Sequence, residues 1–99
     1  MAVPAFALVV LSLAHIFDYT SFLALMARHG LAAEANPLVV VLAQETGLPG
    51  VTLAKIVSVA FAAILVSVIF SWRRGVAVAV LVFGVAAGLV GGFSNIAAL

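Results

Sequence analysis

Residues 4–28, 49–72 and 76–98 are three apolar stretches, each long enough to cross a lipid bilayer, and between them they hold only Asp18, Arg28 and Lys55 as charged side chains. A membrane-crossing helix needs about 20 mostly apolar residues. The chain as a whole is 68% hydrophobic and 7% charged, where a soluble domain is about 25% charged. So few polar side chains cannot clothe a water-facing surface. A soluble globular domain and a disordered tail are therefore excluded. With a net charge of +1 and no basic face, a nucleic-acid binder is excluded too. The expectation is an all-α, polytopic membrane protein. It has a single domain over 1–99, three transmembrane helices, and a short re-entrant or interfacial helix.

The punctuation supports those limits. Gly47-Leu48-Pro49-Gly50 and Arg73-Arg74-Gly75 separate the stretches, and Pro49 suits a helix start. Asn36-Pro37 reads as a cap followed by a first-turn proline, which predicts a short helix over 36–46. At about 15 Å that helix is too short to cross a core of about 30 Å. The apolar segment 1–17 lacks a preceding Lys or Arg and a well-placed cleavage site, so it reads as a retained helix and not as a secretory signal. Arg73 and Arg74 against Arg28 favour a cytoplasmic N-terminus by the positive-inside rule, with Trp72 in the interfacial belt. Cysteine is absent, which removes disulfides and thiolate chemistry. No internal repeat is visible.

Polar residues inside the spans carry the functional question. Asp18 and Lys55 lie within the first and second stretches. Charges there cost about 2.5–3.5 kcal/mol on insertion scales, so they face protein or water and usually pair. Counted from the 29–49 side, Asp18 lies about 15 Å deep and Lys55 about 9 Å deep. His15 shares a helix face with Asp18, and Ser58 shares one with Lys55. Glu34, Asn36 and Asn95 return to the same side. Three readings stay open for His15, Asp18, Glu34, Asn36, Lys55 and Asn95: a structural polar network, a cation or proton site, or acid–base catalysis by Asp18 and Glu34. The catalytic reading lacks a recognisable nucleophile–base pair. A metal site on His15, Asp18 and Glu34 lacks ligand spacing, and no metal or other cofactor is expected.

Gly84, Gly88 and Gly92 recur at four-residue spacing in the third stretch, with Ala87 and Gly91 beside them. Small residues at this spacing let helix backbones approach closely. The partner is either another helix of the same chain or a second copy. Ser12, Ser67 and Ser71 are expected to bond back to their own helix carbonyls. Phe61, Phe70 and Phe83 read as lipid-facing or core.

Asp18-x-Thr20, then Gly30-x-x-x-Glu34-Ala35-Asn36-Pro37, then Lys55 form a pattern over most of residues 10–60. It resembles a family of small bacterial and archaeal integral membrane proteins of unknown function. Members carry an aspartate in the first span, a Glu-x-Asn-Pro turn and a lysine in the second. The resemblance implies a three- or four-helix layout in which Asp18, Glu34, Asn36, Pro37 and Lys55 form one unit, and it implies no activity. In such a unit Glu34 reaches backbone amides or Lys55, and in the second case Lys55 bridges Glu34 and Asp18. The leading function is non-enzymatic: a scaffold or accessory subunit in the cell membrane, surrounded by lipid and either homo-oligomeric or bound to a larger membrane complex. The alternative is an oligomeric cation or proton channel or carrier using Asp18, Glu34 and Lys55.

Overall fold

Hydrocarbon offers no partner for a backbone amide, so an apolar chain crossing it must satisfy its hydrogen bonds internally. Helix is the single-chain solution, and it dominates this protein. The structure, a computed structural model, describes residues 3–34 and 36–99. Met1, Ala2 and Ala35 lie outside the described residues; Ala35 belongs to the Glu34–Pro37 turn motif. Helix α1 spans Ala5–His29, a single 3-10 turn covers Leu31–Ala33, α2 spans Pro37–Trp72 and α3 spans Arg74–Ala98. All three helices are long and apolar enough to cross a membrane, and no strand occurs among the described residues. The chain is an all-helical, multi-pass membrane protein.

Local chemistry sets the helix ends. Gly30 leaves α1 at φ 76°, while its N–H still bonds the Met26 carbonyl at 3.0 Å. Asn36 caps α2, its side-chain oxygen accepting the Leu38 N–H at 3.0 Å, with Pro37 in the first turn. Arg73 alone separates α2 from α3, so the expected Arg73-Arg74-Gly75 turn is shorter than its sequence suggests. Arg74 opens α3 and lays its guanidinium over the Phe70 ring, 5.2 Å from the centroid.

Over the short helix expected at 36–46 the chain is helical from Pro37, and it runs on into the next helical stretch across a kink. Residue 37 begins a 36-residue helix whose backbone departs from helical angles at Gly47, φ 74° and ψ −174°. A straight helix of that length would measure about 54 Å, more than the 45 Å longest dimension of the molecule. The chain therefore turns at Gly47, where a positive φ costs glycine least. Pro49 follows and has no N–H to bridge the break.

The chain leaves α1 at His29 and returns to the same end at the close of α3, where His29 Nε2 lies 2.6 Å from the Leu99 carbonyl. Helices α1 and α3 thus run parallel, and they share the most extensive contact in the molecule. Leu11, Leu25, Val66 and Ala77 are fully buried. Phe61 and Phe83 are exposed, as befits lipid-facing side chains, and Trp72 is 84% exposed beside the Arg73 turn.

Candidate functional site

The α1–α3 seam is built on glycine. A Cβ on Gly88 would fall 2.8 Å from the Ala14 carbonyl carbon, and one on Gly84 would fall 3.0 Å from Leu11 Cδ1. A Cβ on Gly92 would overlap the Phe17 ring, which itself meets Phe93 edge-on at 5.1 Å. Gly84, Gly88 and Gly92 all lie against α1 of their own chain. Gly91 has a different neighbour, because a Cβ there would collide with the Asp18 carboxylate. The missing side chain makes the room in which that carboxylate sits.

Around Asp18 the three helices exchange polar groups. Lys55 Nζ lies 2.6 Å from Asp18 Oδ2 and 2.7 Å from His15 Nδ1. His15 Nε2 lies 2.9 Å from the Gly84 carbonyl. A carbonyl only accepts, so Nε2 carries the ring proton. Nδ1 of the neutral imidazole then accepts from the Lys55 ammonium. From α3, Asn95 Nδ2 donates to the Asp18 carbonyl at 3.1 Å, to Asp18 Oδ1 at 3.3 Å and to Ser21 Oγ at 3.1 Å. Ser21 in turn donates to the Asp18 carbonyl at 2.9 Å. A second polar link joins α1 to α2. Thr52 Oγ1 donates to the Leu48 carbonyl at 2.9 Å, so it is Tyr19 that donates its hydroxyl to Thr52.

Of the two partners expected for Glu34, backbone amides or Lys55, the structure shows the first. Its Oε1 accepts the Asn36 N–H at 3.0 Å, and the second partner of Lys55 is His15 and not Glu34. The reason is local: the Asn36 amide lies two residues away on the same turn, whereas His15 shares the α1 face with Asp18. Glu34 and Asn36 nonetheless line the same cavity as Asp18, Lys55 and Asn95.

That cavity measures about 450 Å³ and lies between α1, α2 and α3 under residues 34–42. On the other side of Lys55 a groove of about 470 Å³ runs between α1 and α2, walled by Ile16, Ile56, Val59, Ala60 and Ala63. His15 faces the groove, Asp18 the cavity, and Lys55 and Tyr19 line both. No three His, Asp or Glu side chains come together as a metal-ligand set among the described residues. No buried side-chain nitrogen or oxygen lacks a hydrogen-bond partner among them.

Four participants had escaped the sequence reading's list of site residues: Tyr19, Ser21, Thr52 and Gly91. Tyr19 had a signal, being the single tyrosine of the chain and adjacent to Asp18 in a span. Buried tyrosine hydroxyls usually find partners. Ser58 bonds back to the Ala54 carbonyl, as Ser12, Ser67 and Ser71 do within their own helices. No family model, curated protein or solved structure matches this chain.

Proposed function

We propose that this chain is a small non-enzymatic protein of the cell membrane, a scaffold or accessory subunit whose spans are locked together by an internal polar network. One observation carries the reading. The His15–Lys55–Asp18–Asn95 network draws a group from each of the three helices and neutralises its own charges, the ammonium lying 2.6 Å from the carboxylate. Such a network adds orientation to spans that gain no hydrophobic drive from one another in lipid. The arginine pair at 73–74 favours a cytoplasmic N-terminus. Kinship with small membrane proteins bearing the Asp, Glu-x-Asn-Pro and Lys pattern is part of the same proposal.

The competing reading is an oligomeric cation or proton channel or carrier using Asp18, Glu34 and Lys55. It draws support from the cavity that reaches Asp18 and Lys55 from the Glu34 side. Against it, the groove beyond Lys55 presents mainly apolar surface, with Ser12 the hydroxyl that follows His15 along α1 and already bonded to the Leu8 carbonyl. Proton and sodium flux into proteoliposomes separates the two readings. The expected rate equals that of empty vesicles. Flux that disappears in Asp18→Asn would overturn the scaffold reading. Cross-linking in native membranes should also capture the chain in a discrete larger species; a monomer alone would refute the accessory role.

A further inference from the structure

Every serine and threonine hydroxyl among the described residues has a hydrogen-bond partner except Ser94, which lines the cavity beneath residues 34–42. Asn95 lines it too. It is 7% exposed, and its hydrogen bonds to described residues are all made through Nδ2, so its Oδ1 accepts from no donor among them. No fully enclosed polar atom lacks a partner among the described residues, so that oxygen is open to the space it borders. Glu34 also faces this space, and its Oε2 has no partner among the described residues.

The charges decide what kind of ligand fits. Lys55 is matched by Asp18 at 2.6 Å, which leaves the Glu34 carboxylate as the uncompensated charge on the cavity wall. Asn36 Nδ2 and one Lys55 N–H are donors without a partner among the described residues, and the acceptors without one are the Asn95 oxygen, the Ser94 hydroxyl oxygen and one Glu34 oxygen. A ligand that answers these acceptors carries one positive charge and several N–H donors. A primary ammonium brings three donors and a quaternary ammonium brings none; a sodium ion would take the same oxygens as direct ligands and is the competitor the test must separate. We propose that this cavity binds a primary ammonium group, belonging either to an ethanolamine lipid headgroup or to a free alkylamine. Glu34 supplies the counter-charge, and Ser94 and Asn95 supply the remaining acceptors. This goes beyond the scaffold reading and does not depend on it.

The test titrates ethylammonium into the full chain in phosphatidylcholine nanodiscs and follows the Asn95 side-chain amide by nitrogen-15 NMR. The expected result is a saturable shift, weakened about tenfold in Glu34→Gln, as for loss of a charge-assisted hydrogen bond. The Glu34→Gln side chain still offers an oxygen to the Asn36 amide, so this variant retains the turn. Ser94→Ala removes an exposed hydroxyl without a protein partner and should weaken binding by a smaller factor, whatever Glu34→Gln does to folding. A second arm uses phosphatidylethanolamine discs without added amine. A shift already present there identifies the lipid headgroup as the source; a shift produced only by ethylammonium identifies a free amine. The proposal is overturned by no saturable shift in either arm, or by an equal response to sodium or tetramethylammonium.

Discussion

The α1–α3 seam and the α1–α2 seam solve one problem in opposite ways. Between α1 and α3 the backbones close on each other, and Gly88 leaves no space even for a methyl group against Ala14. Between α1 and α2 contact is sparse. There the helices are bridged by Lys55 to His15 and Asp18 and by Tyr19 to Thr52, with a cavity on one side and a groove on the other. Lipid tails are as apolar as leucine, so burying leucine gains little in a membrane, and either close backbone contact or polar bonding must hold helices together. The first seam uses glycine and dispersion. The second uses side-chain hydrogen bonds and leaves room for a ligand.

The contrast can be broken by substitution. The largest effect is expected for Lys55→Met, which strands the Asp18 carboxylate and should cost about 3 kcal/mol in reversible unfolding from mixed micelles. Adding Asp18→Asn to that variant should restore much of the loss, because both charges are then gone. A Lys55→Met protein as stable as the parent would dissolve the polar account of the α1–α2 seam.

Gly88→Ala comes next, at about 1–3 kcal/mol for overpacking against backbone that cannot yield. Gly75→Ala is its control, since a Cβ there meets nothing within 4 Å. If both alanines unfold alike, the α1–α3 seam does not depend on close approach. Asn95→Ala removes the polar link across the glycine seam and should cost about 1 kcal/mol, given the modest value of interhelical hydrogen bonds in membranes. Tyr19→Phe is the smallest, about 0.5 kcal/mol. It is best read as a wider α1–α2 spin-label distance near Thr52, with the α1–α3 distance unchanged.

Much of this architecture was legible one helix at a time. Spans expected at 4–28, 49–72 and 76–98 correspond to helical segments reaching His29, Trp72 and Ala98. The Asn36-Pro37 start was readable because a cap and a first-turn proline act within four residues. The limits expected for the 36–46 helix fall at the Asn36 cap and the Gly47 kink, and the chain continues across that kink as part of α2. For Glu34 the sequence left backbone amides and Lys55 both open, and only the fold places its Oε1 on the Asn36 N–H. Gly91 passed as one more small residue, although it alone makes room for the Asp18 carboxylate.

Composition and span length by themselves determined that this chain lives in lipid and folds as helices. Both follow from properties summed along the chain: too few polar side chains to face water, and backbone amides that only a helix can satisfy. The spacing of Gly84, Gly88 and Gly92 likewise announced a close helix contact. Tertiary structure alone decided that this contact is with α1 of the same chain. It also decided that Lys55 joins His15 instead of Glu34, and that Ser94 and the Asn95 oxygen are left with acceptors unused. Those outcomes depend on how three helices are rotated and where α2 bends. Rotation and bend are set by contacts between residues some seventy positions apart, and no local pattern encodes them.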